Sequence, residues 1–248
     1  MSDTAFLVWS SASRTHVGNV RRLNEDACLD CPELGLWVVA DGMGGHSAGD
    51  YASQLIVSGL ADMAPPADLG SFINEVRTRL HTVNRVLLAE TQRRRVDAIG
   101  STVVALLAFG RRYACLWAGD SRAYLYRRGE LSAATRDHTM VEEYVQSGLM
   151  SPAEAASAVD ANVITRAVGV EPCMALDAAT ELLRPGDTFV LCSDGLYKEL
   201  SEADIAATCA TGTSDEICAA LMDTALTRGA RDNVTVIVVQ FRNAFTSD

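Results

Sequence analysis

The chain has 248 residues, of which 48% are hydrophobic and 21% are charged, as expected for a globular protein with a sizeable core. Its 32 acidic and 21 basic residues give a formal net charge of -11. Because an acidic protein repels nucleic-acid backbones and anionic membranes, we expect neither as a partner.

The sequence contains no segment typical of export or membrane insertion. Its N-terminus lacks a basic start followed by a long apolar stretch, so we expect no signal peptide. The longest apolar runs, Val103–Phe109 and Val234–Val239, are too short to span a bilayer. We therefore expect a cytoplasmic protein without a membrane-inserted part.

The seven cysteines are scattered along the chain. Cys115, Cys192 and Cys209 lie in apolar or alanine-rich surroundings, which indicates reduced, buried thiols. Cys28 and Cys31 form one CxxC pair, but no second pair or histidine follows at the spacing of a zinc site.

Short apolar or alternating runs predict strands. They are Gly35–Ala40, Ser101–Phe109, Tyr113–Ala118, Ala123–Tyr126, Thr188–Cys192 and Val234–Phe241. The third and fourth lie close enough in sequence to pair as antiparallel neighbours, and Arg128-Gly129-Glu130 predicts another turn.

Helical periodicity occurs in two pairs of segments, Gly45–Met63 with Leu69–Val96 and Ser201–Cys209 with Ser214–Thr227. Ser201 and Ser214 are the expected N-caps. Between the strands, Thr139–Thr165 is predicted to form a surface flap with its own short helices, interrupted at Gly148 and restarting at Ser151-Pro152.

The order of these elements lacks regular βαβ alternation, so it predicts an α+β fold with largely antiparallel sheets. No linker rich in glycine, serine or proline divides the sequence, and we expect one domain over residues 1–248.

Acidic residues adjoin four of the predicted strands: Asp41-Gly42, Asp120, Asp194-Gly195 and Asp232-Asn233. A carboxylate just beyond a buried strand is held at the rim of the core, where it can converge with others, and a glycine after it allows a sharp turn. Asp-Gly is also ordinary turn chemistry without any metal. Four such acids together favour a site for Mg²⁺ or Mn²⁺, because they would repel one another without cations.

Arg21 precedes the acidic pair Glu25-Asp26 by four residues. The planar fork of an arginine can hold a phosphate through two oxygens. A surface ion pair between Arg21 and Glu25 is the alternative. An arginine beside a metal site would favour binding of a phosphate group at that site.

The chain resembles the bacterial protein phosphatase 2C family, the metal-dependent Ser/Thr phosphatases, through a set of motifs in the family's order. They are VGNVRRLNED, WVVADGMGGHSAGDYAS, GSTVVAL, AGDSRAYLYRRG, TRDHTMVEEYVQSG, NVITRAVG, GDTFVLCSDGL and RDNVTVIVV. Together they extend from about Thr15 to Gln240 and are specific, whereas any one alone is weak. The resemblance implies two stacked, mainly antiparallel sheets, flanked on both sides by helix pairs, with a helical flap at about residues 139–165.

The resemblance also implies roles for matching residues. Asp41 would bridge two metals and the Gly42 carbonyl would bind one of them. Asp194 and Asp232 would complete the first site, and Glu25 would face the second. Asp26 would act through water in the outer shell, and Arg21 would hold the substrate phosphate. Asp120 with Asp194 would form a third, weaker metal site near the flap.

Two metals in that arrangement imply hydrolysis of phosphoserine or phosphothreonine by a hydroxide that bridges them, while Arg21 and the cations offset charge on the phosphoryl oxygens. A covalent phospho-enzyme is not needed. None of the cysteines has an arginine six positions later, so the loop of Cys-based tyrosine phosphatases is absent from the sequence.

Some positions depart from the family's pattern or leave roles open. Thr15-His16-Val17-Gly18 stands where the family often has Thr-Asp-x-Gly, and Met43 stands where animal members carry a histidine proposed as general acid. The donor of the leaving-group proton is therefore unassigned. We expect His46 to cap a helix, His138 to support the flap as a turn residue, and Arg166 to line the cleft.

Two other functions remain as alternatives: a two-metal phosphoesterase for another substrate class, such as a nuclease, and a non-catalytic phosphoprotein-binding member of the fold. The net charge argues against nucleic acid, and the intact acidic residues with Arg21 argue against a non-catalytic protein. Within the family, the chain resembles the stand-alone phosphatase of a type VI secretion threonine-phosphorylation pathway. That resemblance implies phosphoproteins as targets, namely a cognate Ser/Thr kinase and a forkhead-associated-domain protein. A monomer is the default expectation.

Overall fold

A computed structural model describes residues 7–44, 48–155, 158 and 163–244. The strands in these residues are β1 (Leu7–His16), β2 (Asp26–Cys31), β3 (Leu36–Met43), β4 (Gly100–Ser101), β5 (Val103–Phe109), β6 (Arg112–Ala118), β7 (Arg122–Arg127), β8 (Glu130–Ala133), β9 (Asp177–Leu182), β10 (Thr188–Cys192) and β11 (Val234–Asn243). The helices are α1 (Gly49–Ala61), α2 (Leu69–Arg94), α3 (Met140–Gln146), α4 (Pro152–Ala155), α5 (Asp194–Tyr197), α6 (Glu202–Cys209) and α7 (Ser214–Arg228).

The strands form two antiparallel sheets that face each other. One sheet has the order β1-β11-β10-β7-β8, and the other has the order β2-β3-β5-β6-β9, with β4 paired to the end of β3. The α+β class and the antiparallel sandwich predicted from the sequence are confirmed.

Three apolar layers hold the sandwich and its helices together. Side chains alternate along a strand, so Trp37 and Val39 of β3 face the opposite sheet while Val38 faces outward. The outer face of the β3 sheet packs against α1 and α2, and the outer face of the β11 sheet packs against α6 and α7. This burial on both faces explains why the central strands are apolar at successive positions.

The predicted pairing of Tyr113–Ala118 with Ala123–Tyr126 is wrong. The corresponding strands, β6 and β7, belong to different sheets: β6 pairs with β5 and β9, and β7 pairs with β10 and β8. The chain crosses from one sheet to the other over Gly119–Ser121, where Gly119 has a positive φ of 108°. This crossing places Asp120 between the two sheets.

The first acidic turn is also different from the prediction. Asp41 and Gly42 lie within β3 rather than after it, and they pair with Asp26 of β2 and Ser101 of β4 respectively. The predicted strand Ser101–Phe109 is divided at Thr102, whose backbone N–H donates to the Asp41 carbonyl. β3 is extended by this pairing, so Gly42 does not form a turn.

The helices agree with the predictions except at some ends. α2 ends at Arg94, because Arg95 adopts a left-handed cap conformation with φ 57°. Ser201 caps α6 as predicted, but Thr213, not Ser214, caps α7 through its side chain and the Glu216 N–H. α1 is described from Gly49, and His46 lies outside the described residues.

The strands β1, β2, β8 and β9 were not predicted. β1 and β9 are edge strands with many polar side chains, so the apolar pattern that reveals central strands is weak there. The flap prediction is confirmed for its described part, in which α3 and α4 are separated by Gly148. No helix in the described part of the chain is long and apolar enough to cross a membrane.

We predict that Asn84→Ala lowers the free energy of unfolding by about 2 kcal/mol. Asn84 of α2 is 1% exposed, accepts a hydrogen bond from the Gly169 N–H at 2.6 Å and donates to the Glu171 carbonyl at 2.9 Å. Its loss would leave both backbone groups without this partner. Urea unfolding in EDTA measures the change, and the exposed Asn74→Ala in the same helix is the control. Equal effects of the two variants would contradict the prediction.

Candidate metal centre

Acidic side chains from both sheets meet at one end of the sandwich. Glu25 and Asp26 lie at the start of β2, Asp41 near the end of β3, Asp194 after β10, and Asp232 before β11. The crossover residue Asp120 completes the set. The Asp26, Asp120, Asp194 and Asp232 carboxylates are all near enough to that of Asp41 to raise its pKa.

Asp26 connects the two sheets. It belongs to β2, yet its Oδ2 accepts hydrogen bonds from Ser193 Oγ and Thr235 Oγ1 of the other sheet, both at 2.7 Å. The residue is 4% exposed, and its second oxygen, Oδ1, is buried without a hydrogen-bond partner. Burial, assisted by repulsion from Asp194 and Asp232, raises the pKa of Asp26 against the effect of these hydrogen bonds.

Asp41 lies at the centre of the acidic cluster. Its backbone is fixed by Thr102, whose hydroxyl accepts from the Asp41 N–H at 3.1 Å and lies 2.7 Å from Ser121 Oγ. Burial raises the pKa of Asp41 well above 3.8, and the surrounding carboxylates raise it further, Asp26 first. The fold therefore holds this carboxylate where its charge is unfavourable without a cation.

Glu25, in the loop that leads to β2, lies beside Gly42 of β3. The Gly42 N–H donates to the Glu25 carbonyl at 3.1 Å. A Cβ at Gly42 would overlap the Gly49 carbonyl, so this close approach requires glycine. The Glu25 side chain reaches the start of α1, where its Oε1 would contact a Cβ at Gly49.

Asn233 holds the segment that carries Arg21 and Glu25. Its amide donates to the carbonyls of Val17 and Leu23, both at 2.9 Å, and its oxygen accepts from the Glu25 N–H at 2.8 Å. Asn233 thus fixes the position of Arg21 and Glu25 relative to β11.

Asp120 and Asp194 are linked through the short helix α5, of which Asp194 is the first residue. The Tyr197 hydroxyl donates to the Asp120 backbone carbonyl at 3.0 Å and lies 3.2 Å from Asp120 Oδ2, and Lys198 forms an ion pair with Asp194 Oδ2. Burial raises the pKa of Asp120 to about 6, and repulsion from Asp194 adds to the shift. Burial likewise raises the pKa of Tyr197, so its hydroxyl remains protonated.

Arg122 holds the ring of Tyr197 in place. Its guanidinium lies 3.6 Å from the centroid of the Tyr197 ring and binds the Asp137 carboxylate through Nε and Nη2, at 3.0 and 2.8 Å. Because Arg122 is committed to Asp137, it orients Tyr197 and does not itself pair with Asp120.

Arg21 forms its ion pair with Asp232, not with Glu25. Arg21 Nη2 lies 2.7 Å from Asp232 Oδ2, and half of the arginine side chain is exposed. Both residues line a groove of about 470 Å³ together with Gly195, Lys198, Glu199 and Arg231. The guanidinium therefore stands at the open side of the acidic cluster, where a phosphate can enter.

The donor set fits divalent cations. The carboxylates repel one another, and Asp26 Oδ1 is an orphaned buried oxygen, as expected of a ligand to an ion or its water. No three His, Cys, Asp or Glu side chains in residues 7–44, 48–155, 158 and 163–244 already converge on one cation position. Arg21 and Lys198 each hold an oxygen of an expected ligand, Asp232 and Asp194 respectively.

The flap side of the molecule holds a second pocket, of about 650 Å³. Arg166 lines it and pairs with Asp177 at 2.9 Å, so Arg166 does not line the groove beside the acidic cluster. His138 is buried there, stacks on Trp117 and accepts from the Gly119 N–H at 3.2 Å. This supports its predicted structural role beneath the flap.

The sequence interpretation did not assign roles to Ser193, Thr235, Asn233, Tyr197 or Lys198. Ser193 and Asn233 adjoin the predicted ligands Asp194 and Asp232 in sequence, which was an available signal. Thr235 lies three residues after Asp232 and gave no such signal. Lys198 follows Asp194 at a spacing of four, which is also the spacing of ordinary helical surface pairs.

The protein phosphatase 2C family model matches residues 14–233, and the chain belongs to that family. The resemblance inferred from the motifs is confirmed.

Known relatives cover nearly the whole chain. The serine/threonine protein phosphatase PstP of Mycobacterium tuberculosis is 36% identical over 94% of this chain, which spans 45% of the length of that relative. A solved structure of PppA, described as a key regulatory component of T6SS in Pseudomonas aeruginosa, has 44% identity and a TM-score of 0.89, covering 94% of this chain and 98% of that one. The catalytic domain of PstP in complex with two manganese ions has 34% identity and a TM-score of 0.85, covering 96% and 100%.

We predict that Asp120→Asn stabilises the metal-free protein increasingly as pH rises. The pKa of Asp120 is about 6 in the folded protein and 3.8 in the unfolded chain. Between these values the folded state binds more protons, so the wild-type free energy of unfolding falls with rising pH. The advantage of the variant should be about 2 kcal/mol larger at pH 7.5 than at pH 4.5.

Urea unfolding in EDTA at both pH values measures this difference. The comparison with the variant is needed because burial lowers the pKa of His138, which makes the wild-type stability rise with pH near 6. A constant difference between wild type and Asp120→Asn would contradict the assigned environment of Asp120.

Proposed function

We propose that this protein is a metal-dependent phosphatase that hydrolyses phosphoserine and phosphothreonine in proteins. The observation that carries the proposal is the convergence of carboxylates from both sheets beside Arg21, which lines the adjoining groove. Membership of the protein phosphatase 2C family and similarity to PstP support it. The single domain expected over residues 1–248 is part of the same proposal.

The cofactors are two Mn²⁺ or Mg²⁺ ions. Asp41 would be shared between them, and the Gly42 carbonyl would bind one. Asp194 and Asp232 would complete one site, and the second site would use Glu25. The two manganese ions in the PstP catalytic-domain structure support this number. At such a centre divalent cations supply activation of water and neutralisation of phosphoryl charge.

Outer residues complete the centre. Asp26 would act through its unpaired Oδ1, by accepting a hydrogen bond from water. The third cation expected near Asp120 would share Asp194 with the core, and it is the weakest of the three because it has fewer protein ligands.

Arg21 would bind the substrate phosphate. In the present arrangement its guanidinium is paired with Asp232. If Asp232 bound a cation instead, the planar fork would be available to two phosphoryl oxygens at the groove. Phosphate binding would then be coupled to occupation of the metal centre.

A side-chain nucleophile is not needed. Cys192 lies closest in sequence to Asp194, but it is fully buried, and burial raises its pKa to about 12. Cys115 is buried with a similarly raised pKa. Such thiols remain protonated at neutral pH, so direct attack by water on phosphorus is the consistent reaction.

For the pathway, we propose control of type VI secretion by removal of phosphate from a cognate Ser/Thr kinase and a forkhead-associated-domain protein, in the cytoplasm and as a monomer. Similarity to PppA supports this assignment. Phosphoproteomics of a deletion strain tests it: the kinase and the forkhead-associated protein should gain phosphothreonine, and unchanged phosphorylation of both would contradict the pathway.

We predict that Asp41→Asn lowers the rate of Mn²⁺-dependent hydrolysis of a phosphothreonine peptide by about 10³-fold or more. The amide keeps the shape of the side chain but removes the charge that would hold both cations. Steady-state phosphate release measures the effect. Asp62→Asn, at the exposed end of α1, is the matched control and should retain the wild-type rate.

Substrate class is tested with the same preparation. The wild-type enzyme should hydrolyse phosphothreonine and phosphoserine peptides and leave single- and double-stranded DNA intact. Cleavage of DNA with no release from phosphopeptides would replace the proposed function by a nuclease.

A further inference from the structure

We propose that Lys198 is a tethered cation that competes with a divalent ion for Asp194, and so weakens the accessory cation position between Asp120 and Asp194. The inference rests on the proposed function only in taking these two carboxylates as cation ligands. It concerns a residue to which the family motifs in this sequence assign no role.

The geometry places the ammonium group directly on the shared ligand. Lys198 Nζ forms an ion pair with Asp194 Oδ2, and the lysine side chain is 33% exposed. Asp194 is the first residue of α5 and Lys198 follows its last residue, so the two side chains lie one helical turn apart and can pair on the same face. The Asp194 side chain is only 15% exposed, which limits screening of the pair by water.

A neutral donor lies beside the second carboxylate of the accessory position. Tyr197, the neighbour of Lys198, places its hydroxyl 3.0 Å from the Asp120 backbone carbonyl oxygen and 3.2 Å from Asp120 Oδ2. The ring of Tyr197 is held by the guanidinium of Arg122, which is in turn fixed by Asp137. Two consecutive side chains thus provide donors to both carboxylates that an accessory cation would need.

Lys198 and an accessory ion would compete both because they need the same carboxylate oxygen and because their positive charges repel each other. An accessory ion would have to displace the ammonium from Asp194 and would then experience the repulsion of a positive charge held nearby by its own chain. Lys198 also holds one expected ligand of the core, Asp194, but Asp41 and Asp232 form no ion pair with it among the described residues. The accessory position is affected more, because donors from Tyr197 and Lys198 contact both of its carboxylates. Lys198 therefore offsets part of the negative charge at this end of the cluster without a third ion.

The test is a Mn²⁺ titration of the metal-stripped full-length protein, with free Mn²⁺ measured by electron paramagnetic resonance. The wild type should bind two Mn²⁺ ions per chain, and a third much more weakly. In Lys198→Met, which keeps the length of the side chain without its charge, the third ion should bind about tenfold more tightly or better. Lys198→Arg keeps the charge and should stay within about threefold of the wild type.

A double variant assigns the gained affinity to the accessory position. Adding Asp120→Asn to Lys198→Met should abolish the gain in the third site while two ions still bind. Thermal unfolding with and without Mn²⁺ shows that each variant is folded, and the Mn²⁺-induced rise in Tm should be larger for Lys198→Met than for the wild type.

Three results would overturn the inference: third-site affinity in Lys198→Met equal to that of the wild type, an equal gain in Lys198→Arg, or a gain that survives Asp120→Asn. Two bound Mn²⁺ ions with any of these results would leave the proposed function intact. A wild-type chain that binds no Mn²⁺ would overturn both the inference and the proposed function.

Discussion

The buried carboxylate of Asp26 is the contact on which the arrangement of the site depends. It belongs to one sheet and is hydrogen-bonded by Ser193 and Thr235 of the other. The hydrophobic layer between the sheets brings them together, but it is not directional. Hydrogen bonds to a buried charge are directional, and leaving them unmade is costly. Asp26 therefore sets the relative position of the strand ends that carry Asp41, Asp194 and Asp232.

Holding these carboxylates close together is electrostatically unfavourable, and two ion pairs offset part of that cost. Burial and mutual repulsion raise the pKa values of Asp26, Asp41 and Asp120. Arg21 and Lys198 pair with Asp232 and Asp194 and so compensate part of this charge. In the proposed function, a cation would take over these carboxylates and leave the basic groups available at the groove. Metal binding and phosphate binding would then be linked through the same ion pairs.

The sequence predicted the parts of this site that local patterns encode. Acidic residues adjoining apolar runs identified Asp41, Asp120, Asp194 and Asp232, and the spacing of Arg21 to Glu25-Asp26 indicated a phosphate-binding arginine. The family resemblance then implied their individual roles. The sheet assignment of β6 and β7 was wrong, because sequence proximity favours a hairpin and the crossover at Gly119 depends on long-range pairing. The role of Asn233 was missed because its partners Val17, Leu23 and Glu25 are 208 to 216 residues away. The hydrogen bonds from Ser193 and Thr235 to Asp26 also join distant segments, and no local pattern predicts them.

The most direct test of the proposed metal centre is anomalous diffraction from crystals of the 248-residue chain grown with Mn²⁺. We expect two anomalous peaks between the sheets, flanking Asp41, with Asp232 turned from Arg21 toward one ion. An absence of peaks near Asp41 in a Mn²⁺-saturated crystal, or peaks confined to the flap-side pocket, would contradict it.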